Sequence, residues 1–405
     1  MKLIDIQDEF LNYGKKLNFN LLKEGNVVRP DGSETFFNMS AISQHIDLFD
    51  SININGKQEN YFTKQLSYFS NKLDDVGKNR LTNPMEIGLS LLIKNSDEPQ
   101  KIINVALSFL TNIGLSINKI FIRCDREVDF LKWYNHLGIS LNHIYEWKNL
   151  EKFHIGNNRP TGHYSYIYYK YSNGVVPIGT IATIKTEEKY HFDIVYYAER
   201  LSIILENKQA IWEIDEISPL FKVTNNLKIN NNNETRFLLL FRVFILLIHG
   251  DLLRISNKGK GYFLKKILRE LGFLLDGNLI NEEHIPFILE ISNEIITKLG
   301  YTSFSPKQKN AFYENILKIN EYSVDIVNRL IKVRTRLLEN EKIDFNVIKG
   351  EFGIFPEWII QKFPELLREY DISCHIQCRD SISSLSLGNN YEKVNIKKLL
   401  GDDYE

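Results

Sequence analysis

The stretch FDIVYYAERLSIILEN, Phe192 to Asn207, decides how the chain is read. KYHFDIVYY, which leads into it, has the β-branched and aromatic make-up of a strand. From Glu199-Arg200 onward an apolar helical run begins. Asp193 therefore falls in a strand and Arg200 at the start of a helix. Taken alone, an arginine there reads as a solvated helix residue. The alternative, a cation aimed at a phosphate, needs company from elsewhere in the chain.

Length and composition bound that search. A chain of 405 residues is too long for one ordinary core, so two or three domains are expected. With 43% hydrophobic and 25% charged residues it has the composition of a soluble globular protein. A net charge of −1 makes no global demand for nucleic acid or membrane, so any basic surface is local. The cysteines are Cys124, Cys374 and Cys378, a sparse odd set that points to a reducing, cytoplasmic compartment. CHIQC offers too few ligands for zinc. The N-terminal MKLIDIQDEFLNYGKK is too charged for a signal peptide or anchor. FLLLFRVFILLIHG is interrupted by Arg242 and reads as a buried core helix, not a membrane span.

The first half interleaves strand and helix patterns. ETFFNM, YFTKQLSYF, INKIFIRC, YSYIYYKY and VVPIGTIATIK read as strands, whereas QDEFLNYGKKL and VDFLKWYNHLG read as helices. An α+β fold around a largely antiparallel sheet is expected. From Thr235 to about Ile343 helical periodicity dominates. The polar run KINNNNET, Lys228 to Thr235, marks the boundary. A small helical unit follows around FGIFPEWIIQKFPELL, and the tail after Ser381 is polar.

Two further stretches supply the company that Arg200 needs. IGNNRPTGHYSYIYYKY holds Pro160 and Gly162 in a tight loop before a strand, a form that lets backbone approach a ligand. RISNKGKGYFLKKILRELG combines a cap, two glycines and an amphipathic helix, with six basic residues and no acid from Arg254 to Arg269. Lys258, Lys260, Lys265, Lys266 and Arg269 suit a phosphate backbone, although a solvated basic face is the default reading.

In order, these stretches resemble the aminoacylation half of alanyl-tRNA synthetase, a class II synthetase. PDGSETFFNMSAISQHIDLF is similar to an early family segment through Phe37, Gln44, Asp47 and Phe49. LDDVGKNRLTNPMEI resembles LDNVGKTARHHTFFEM, with Arg80 and Glu86 in register. FHIGNNRPTGHYSYIYY resembles the GDTGPCGPCSEIFYD loop through Gly156, Pro160, Gly162, Ser165 and Ile167. DIVYYAERLSIIL resembles the third class II motif, DTGMGLERIAAVL, and SNKGKGYFLKKILR is similar to SNEGRGYVLRRIIR. FNVIKGEFGIFPEWI resembles FKLYDTYGFPLDL. The likeness runs from about Leu3 to Ile372.

The resemblance implies a class II antiparallel sheet flanked by helices over residues 1–230. It implies a helical tRNA-recognition-like domain over 231–345 and a small C-terminal unit over 346–405. It implies ATP and Mg²⁺, with Arg200 and Arg80 on the phosphates and Glu199 toward the metal. Asp193 would face the amino group of a small amino acid, in a pocket lined by Phe153, Gly156, Gly162, Ser165 and Thr180. The guanidinium fork suits phosphate oxygens, and a carboxylate suits an ammonium.

Departures from the family are as informative. YFTKQLSYFSNKLDD has no arginine, where the second motif carries one on the α-phosphate; Lys64 or Lys72 would have to supply that charge. Val195 and Tyr197 replace two glycines of the third motif. Tyr166 stands for a glutamate, Thr180 for an asparagine, and Gly350 for an acid that reads the acceptor stem. Three functions are thereby set against each other. The first is a divergent enzyme that activates a small amino acid for a tRNA, carrier-protein or small-molecule acceptor. The second is an inactive paralogue serving as a regulatory or scaffold subunit. The third is an RNA binder acting through the basic helix.

Overall fold

The computed structural model describes residues 1–50, 56–147, 152–154, 161–172, 174–186, 189–339 and 345–368. They fall into two compact units. The first comprises Met1–Ser218 with Thr297–Tyr301, and the second begins at Pro219.

The first unit is built on a mixed sheet. Its strands are β1 (Asn20–Leu21), β2 (Glu59–Tyr68), β3 (Met85–Ser96), β4 (Ile120–Asp125), β5 (Ile144–Trp147), β6 (Phe153–His154), β7 (Thr161–Tyr171), β8 (Gly174–Lys185) and β9 (Tyr190–Tyr197). Their order is β1-β2-β3-β9-β8-β7-β4-β5, with β6 paired to β7. Only β1–β2 and β4–β5 are parallel among the described pairs. The arrangement is α+β with a mainly antiparallel sheet.

Period-two alternation sorts β9 into two sides. Phe192, Ile194 and Tyr196 point to the helical layer of α1 (Leu3–Lys16) and its neighbours. The Tyr196 ring lies 6.1 Å from Phe10 of α1 and 4.9 Å from Phe109 of the helix Pro99–Asn112. Each such fully buried ring contributes about 1.5–3 kcal/mol. His191, Asp193, Val195 and Tyr197 point the other way. There, Ile42 and Phe49, from two short helical turns, and Phe153 of β6 pack on Leu92, Ala182 and Ile184. One helix, α2 (Ala198–Leu205), follows β9 without a break.

The second unit is helical. Its chief members are α3 (Asn231–His249), α4 (Lys260–Leu275) and α5 (Pro306–Leu338). In α3 every residue from Phe237 to Ile248 is buried, Arg242 included. Gly272 lets α4 meet α5, since a Cβ there would stand 2.7 Å from Tyr322 Cβ and 2.9 Å from the Ser323 nitrogen. Trp358 stacks on Phe273 at 4.8 Å and donates Nε1–H to Glu270 at 3.1 Å. The FGIFPEW segment thus packs on the helical unit.

Three expectations change. ETFFNM forms no strand: its one bridge is Val28 to Phe37, and Phe37 is buried edge-on against Tyr68 at 4.7 Å. The first unit ends at Ser218, ahead of the expected 230. KINNNNET lies inside the second unit, where the Asn230 side chain accepts the Asn232 N–H and starts α3. Cys374, Cys378 and the polar tail lie outside the described residues.

Candidate functional site on one face of the sheet

The non-helical face of β9 gathers several of the residues singled out in the sequence. Register sets Asp193 between Leu92 of β3 and Ala182 of β8, and Val195 between Ser90 and Thr180. Asp193 is 6% exposed, and its Oδ1 has no hydrogen-bond partner among the described residues. Burial pushes its carboxyl up to about 7. An ionised carboxylate so placed is unfavourable until a cation joins it. Phe153 lies in the apolar cluster that includes Leu92 and Ala182, beside Tyr164 at 5.4 Å. Gly162 pairs with Phe153, and a Cβ on it would come within 2.7 Å of the Thr183 carbonyl oxygen.

A charged cluster occupies the far end of the same strand, about 13 Å away. Arg200, in the first turn of α2, donates Nε and Nη2 to Glu86 Oε1 at 3.2 and 3.1 Å. Its Nη1 reaches the Pro177 carbonyl at 3.2 Å, and its guanidinium lies 4.5 Å from the Tyr197 ring centre. Lys72 meets Glu86 Oε2 at 3.5 Å and lies over the Phe69 ring. Burial alone would raise Glu86, but Arg200 and Lys72 outweigh it and hold the carboxyl below its usual range. Glu199 is fully buried and its Oε2 accepts the Ile87 N–H at 2.8 Å. The Thr180 hydroxyl hydrogen-bonds Tyr197.

The fold thus gathers Asp193, Phe153, Gly162, Thr180, Lys72, Glu86, Glu199 and Arg200 on or beside one face. Two expected residues fall on the other face, because side chains alternate and register decides the side. Lys64 donates to Gln7 Oε1 at 3.1 Å and the Leu299 carbonyl at 3.3 Å, and lies over Tyr301. Ser165 Oγ is 2.7 Å from the Tyr134 hydroxyl in the helix-packed core. On the site face β2 presents Gln65, whose amide grips Gly25 at 2.9 and 3.0 Å. No cation of β2 points there. Gly156 lies outside the described residues. Half-buried Arg80 has no side-chain hydrogen bond or ion pair among them; its carbonyl accepts the Ile211 N–H at 2.9 Å.

The basic stretch lies in the helical unit. Lys258 is exposed, Lys260 opens α4, Lys266 is half-buried, and Lys265 reaches Asn257 Oδ1 at 2.7 Å. Gly259, at φ 63° and ψ −150°, holds a conformation reserved for glycine. Arg269 differs from the lysines. It donates to the Gly353 carbonyl and lies beside Phe355 and Trp358, so it ties helices together and is not part of an exposed basic face.

Sequence reasoning missed Glu86 as the counter-ion of two cations and missed His191 altogether. Strand alternation from Asp193 was the available signal for His191. No group of three metal-ligating side chains occurs among the described residues. Glu86 is neutralised and Glu199 bonds backbone, so these residues do not fit a protein-held Mg²⁺.

Compared with known proteins, the chain is 23% identical over 430 residues to the alanine–tRNA ligase of Buchnera aphidicola subsp. Baizongia pistaciae (strain Bp). The alignment covers 92% of this chain and 47% of that protein, so the chain spans about half the length of the curated relative it matches. No family model matches. The likeness supports a distant relationship to alanine–tRNA ligases. No described helix is long and apolar enough to cross a membrane.

Proposed function

We propose that the chain is a class II synthetase-like protein that activates a small amino acid with ATP. The ammonium rests on Asp193 and the phosphates lie toward Arg200, Lys72 and Arg80. One observation carries this reading: a buried carboxylate whose Oδ1 has no partner among the described residues shares a sheet face with the Arg200–Glu86–Lys72 cluster. A carboxylate oxygen of the amino acid attacks the α-phosphorus, and the bond to the pyrophosphate oxygen breaks. The protein orients the two reactants and offsets developing charge; none of its side chains forms a covalent bond. Any magnesium arrives with the nucleotide. Transfer to a tRNA, carrier-protein or small-molecule acceptor completes the proposal, with Lys258, Lys260, Lys265 and Lys266 as the contacts to an RNA. A cytoplasmic location belongs to the same proposal.

A second reading keeps the amino-acid site and drops the chemistry. It is favoured by Glu86, which already neutralises Arg200 and Lys72, and by the lack of a β2 cation on the site face. Amino-acid-dependent ATP–pyrophosphate exchange separates the two. Exchange with a small amino acid supports the enzyme. Amino-acid binding without exchange supports a non-adenylating paralogue that senses or scaffolds.

A further inference from the structure

We infer that His191 reads the side chain of the bound amino acid, and that the substrate is a small α-amino acid with an acceptor oxygen on that side chain. The inference rests on Asp193 as the ammonium site. His191 stands two residues before Asp193 on the same face of β9, beside Ile184 where Asp193 stands beside Ala182. Ile184 and Ala182 belong to one apolar cluster with Leu92 and Phe153.

His191 is fully buried. Its Nδ1 accepts the Asn95 N–H at 3.2 Å, whereas its Nε2 has no partner among the described residues. Burial, with Lys94 adding to it, lowers the imidazole to about 4, so the ring is neutral at pH 7. A neutral ring that accepts at Nδ1 carries its proton on Nε2. Lys94 itself is paired with Glu59 at 3.4 Å. Among the described residues the face therefore holds buried, unsatisfied groups of opposite sense, a donor at His191 and an acceptor at Asp193, with the Ser90 hydroxyl beside Val195 unsatisfied as well. Buried polar groups are rarely left so unless something completes them.

Order along β9 decides which part of the ligand each group meets. Val195, Tyr197 and then Arg200 lie on one side of Asp193, and His191 lies on the other. With the ammonium at Asp193 and the carboxylate directed toward the phosphates at Arg200, the side chain is what remains to face His191. An N–H donor there calls for a hydroxyl or carbonyl oxygen. Leu92, Ala182, Ile184 and Phe153 pack as one apolar cluster beside these two groups, which favours a short side chain.

The test is isothermal calorimetry on the full chain with L-alanine, L-serine, L-threonine and L-asparagine. Sites built to hydrogen-bond a substrate discriminate strongly against analogues that lack the group, so at least one polar amino acid should bind about ten-fold or more tighter than alanine. In His191→Leu that ratio should fall to about three-fold or less, while His191→Gln, which keeps an N–H donor, should retain part of it. Should His191→Leu not fold, the wild-type ratio and His191→Gln decide. Alanine bound as tightly as the polar amino acids by wild type overturns the side-chain assignment and leaves Asp193 standing. An unchanged ratio in His191→Leu overturns it equally. Absence of binding by all four overturns both the Asp193 reading and this inference.

Discussion

A buried carboxylate whose Oδ1 has no partner among the described residues makes stability depend on pH in a known direction. Asp193 ionises near its ordinary 3.8 when unfolded and at about 7 when folded. The folded state therefore holds its proton longer, so this group's contribution is most favourable below about 4. It is lost as pH rises to 7 and level above that. Asp193→Asn should exceed wild type by roughly 2–4 kcal/mol at pH 8 and match it near pH 4, by chemical denaturation. A difference that does not change with pH would mean that the carboxylate is solvated. Amino-acid affinity should follow the opposite course and rise with pH toward 7, because an ammonium binds the ionised acid. Arg200 and Arg80 separate structure from chemistry. Arg200→Ala strips a buried partner from Glu86 and should cost about 3 kcal/mol, so lost activity in that variant is ambiguous. Arg80 has no side-chain partner among the described residues to lose. Arg80→Ala should change stability by less than about 0.5 kcal/mol while weakening ATP binding, read by calorimetry beside a denaturation curve. Asp193 and Arg200 were legible in sequence because a strand-to-helix stretch carried them. Lys64 and Ser165 were not, since a charge or hydroxyl on a strand reveals its side only after register is known.

At the scale of elements, local pattern found β8 and β9 but not every buried strand. β3 is buried at every position from Met85 to Ser96, so it shows no alternation. It is nonetheless the strand that brings Glu86 to Arg200. ETFFNM had strand composition, but only Phe37 makes a ladder contact, and its ring is spent on Tyr68. KINNNNET was read as a joint from its polarity; the same asparagines are what start a helix. Glycine spacing in SNKGKG did mark a special loop, and Gly259 has the backbone that only glycine takes. A further glycine, Gly272, has a measurable role. Gly272→Ala should destabilise the helical unit by about 1–3 kcal/mol, since the new methyl meets Tyr322 Cβ and backbone atoms of α5, none of which can turn away. A substitution without effect would mean that the α4–α5 crossing is looser than described.

For the whole molecule, the similarity to an alanine–tRNA ligase covers 92% of the chain, which folds as an α+β unit and a helical unit. The two ends of the site differ in how far they are committed within the protein. At the Asp193 end, buried groups are left unsatisfied among the described residues. At the Arg200 end, the cations are paired to Glu86. Adenylation therefore requires ATP to compete with Glu86, whereas amino-acid binding requires no such exchange. Both readings of function share Asp193 as an ammonium site, and its titration tests that claim most directly. Carbon-detected NMR would follow the Asp193 carboxyl across pH, first in free protein and then with a saturating mixture of small amino acids. The expected result is a midpoint near about 7 in free protein that falls well below that value when amino acid is present. A midpoint in the ordinary carboxylate range, or one that amino acids do not move, would contradict the account.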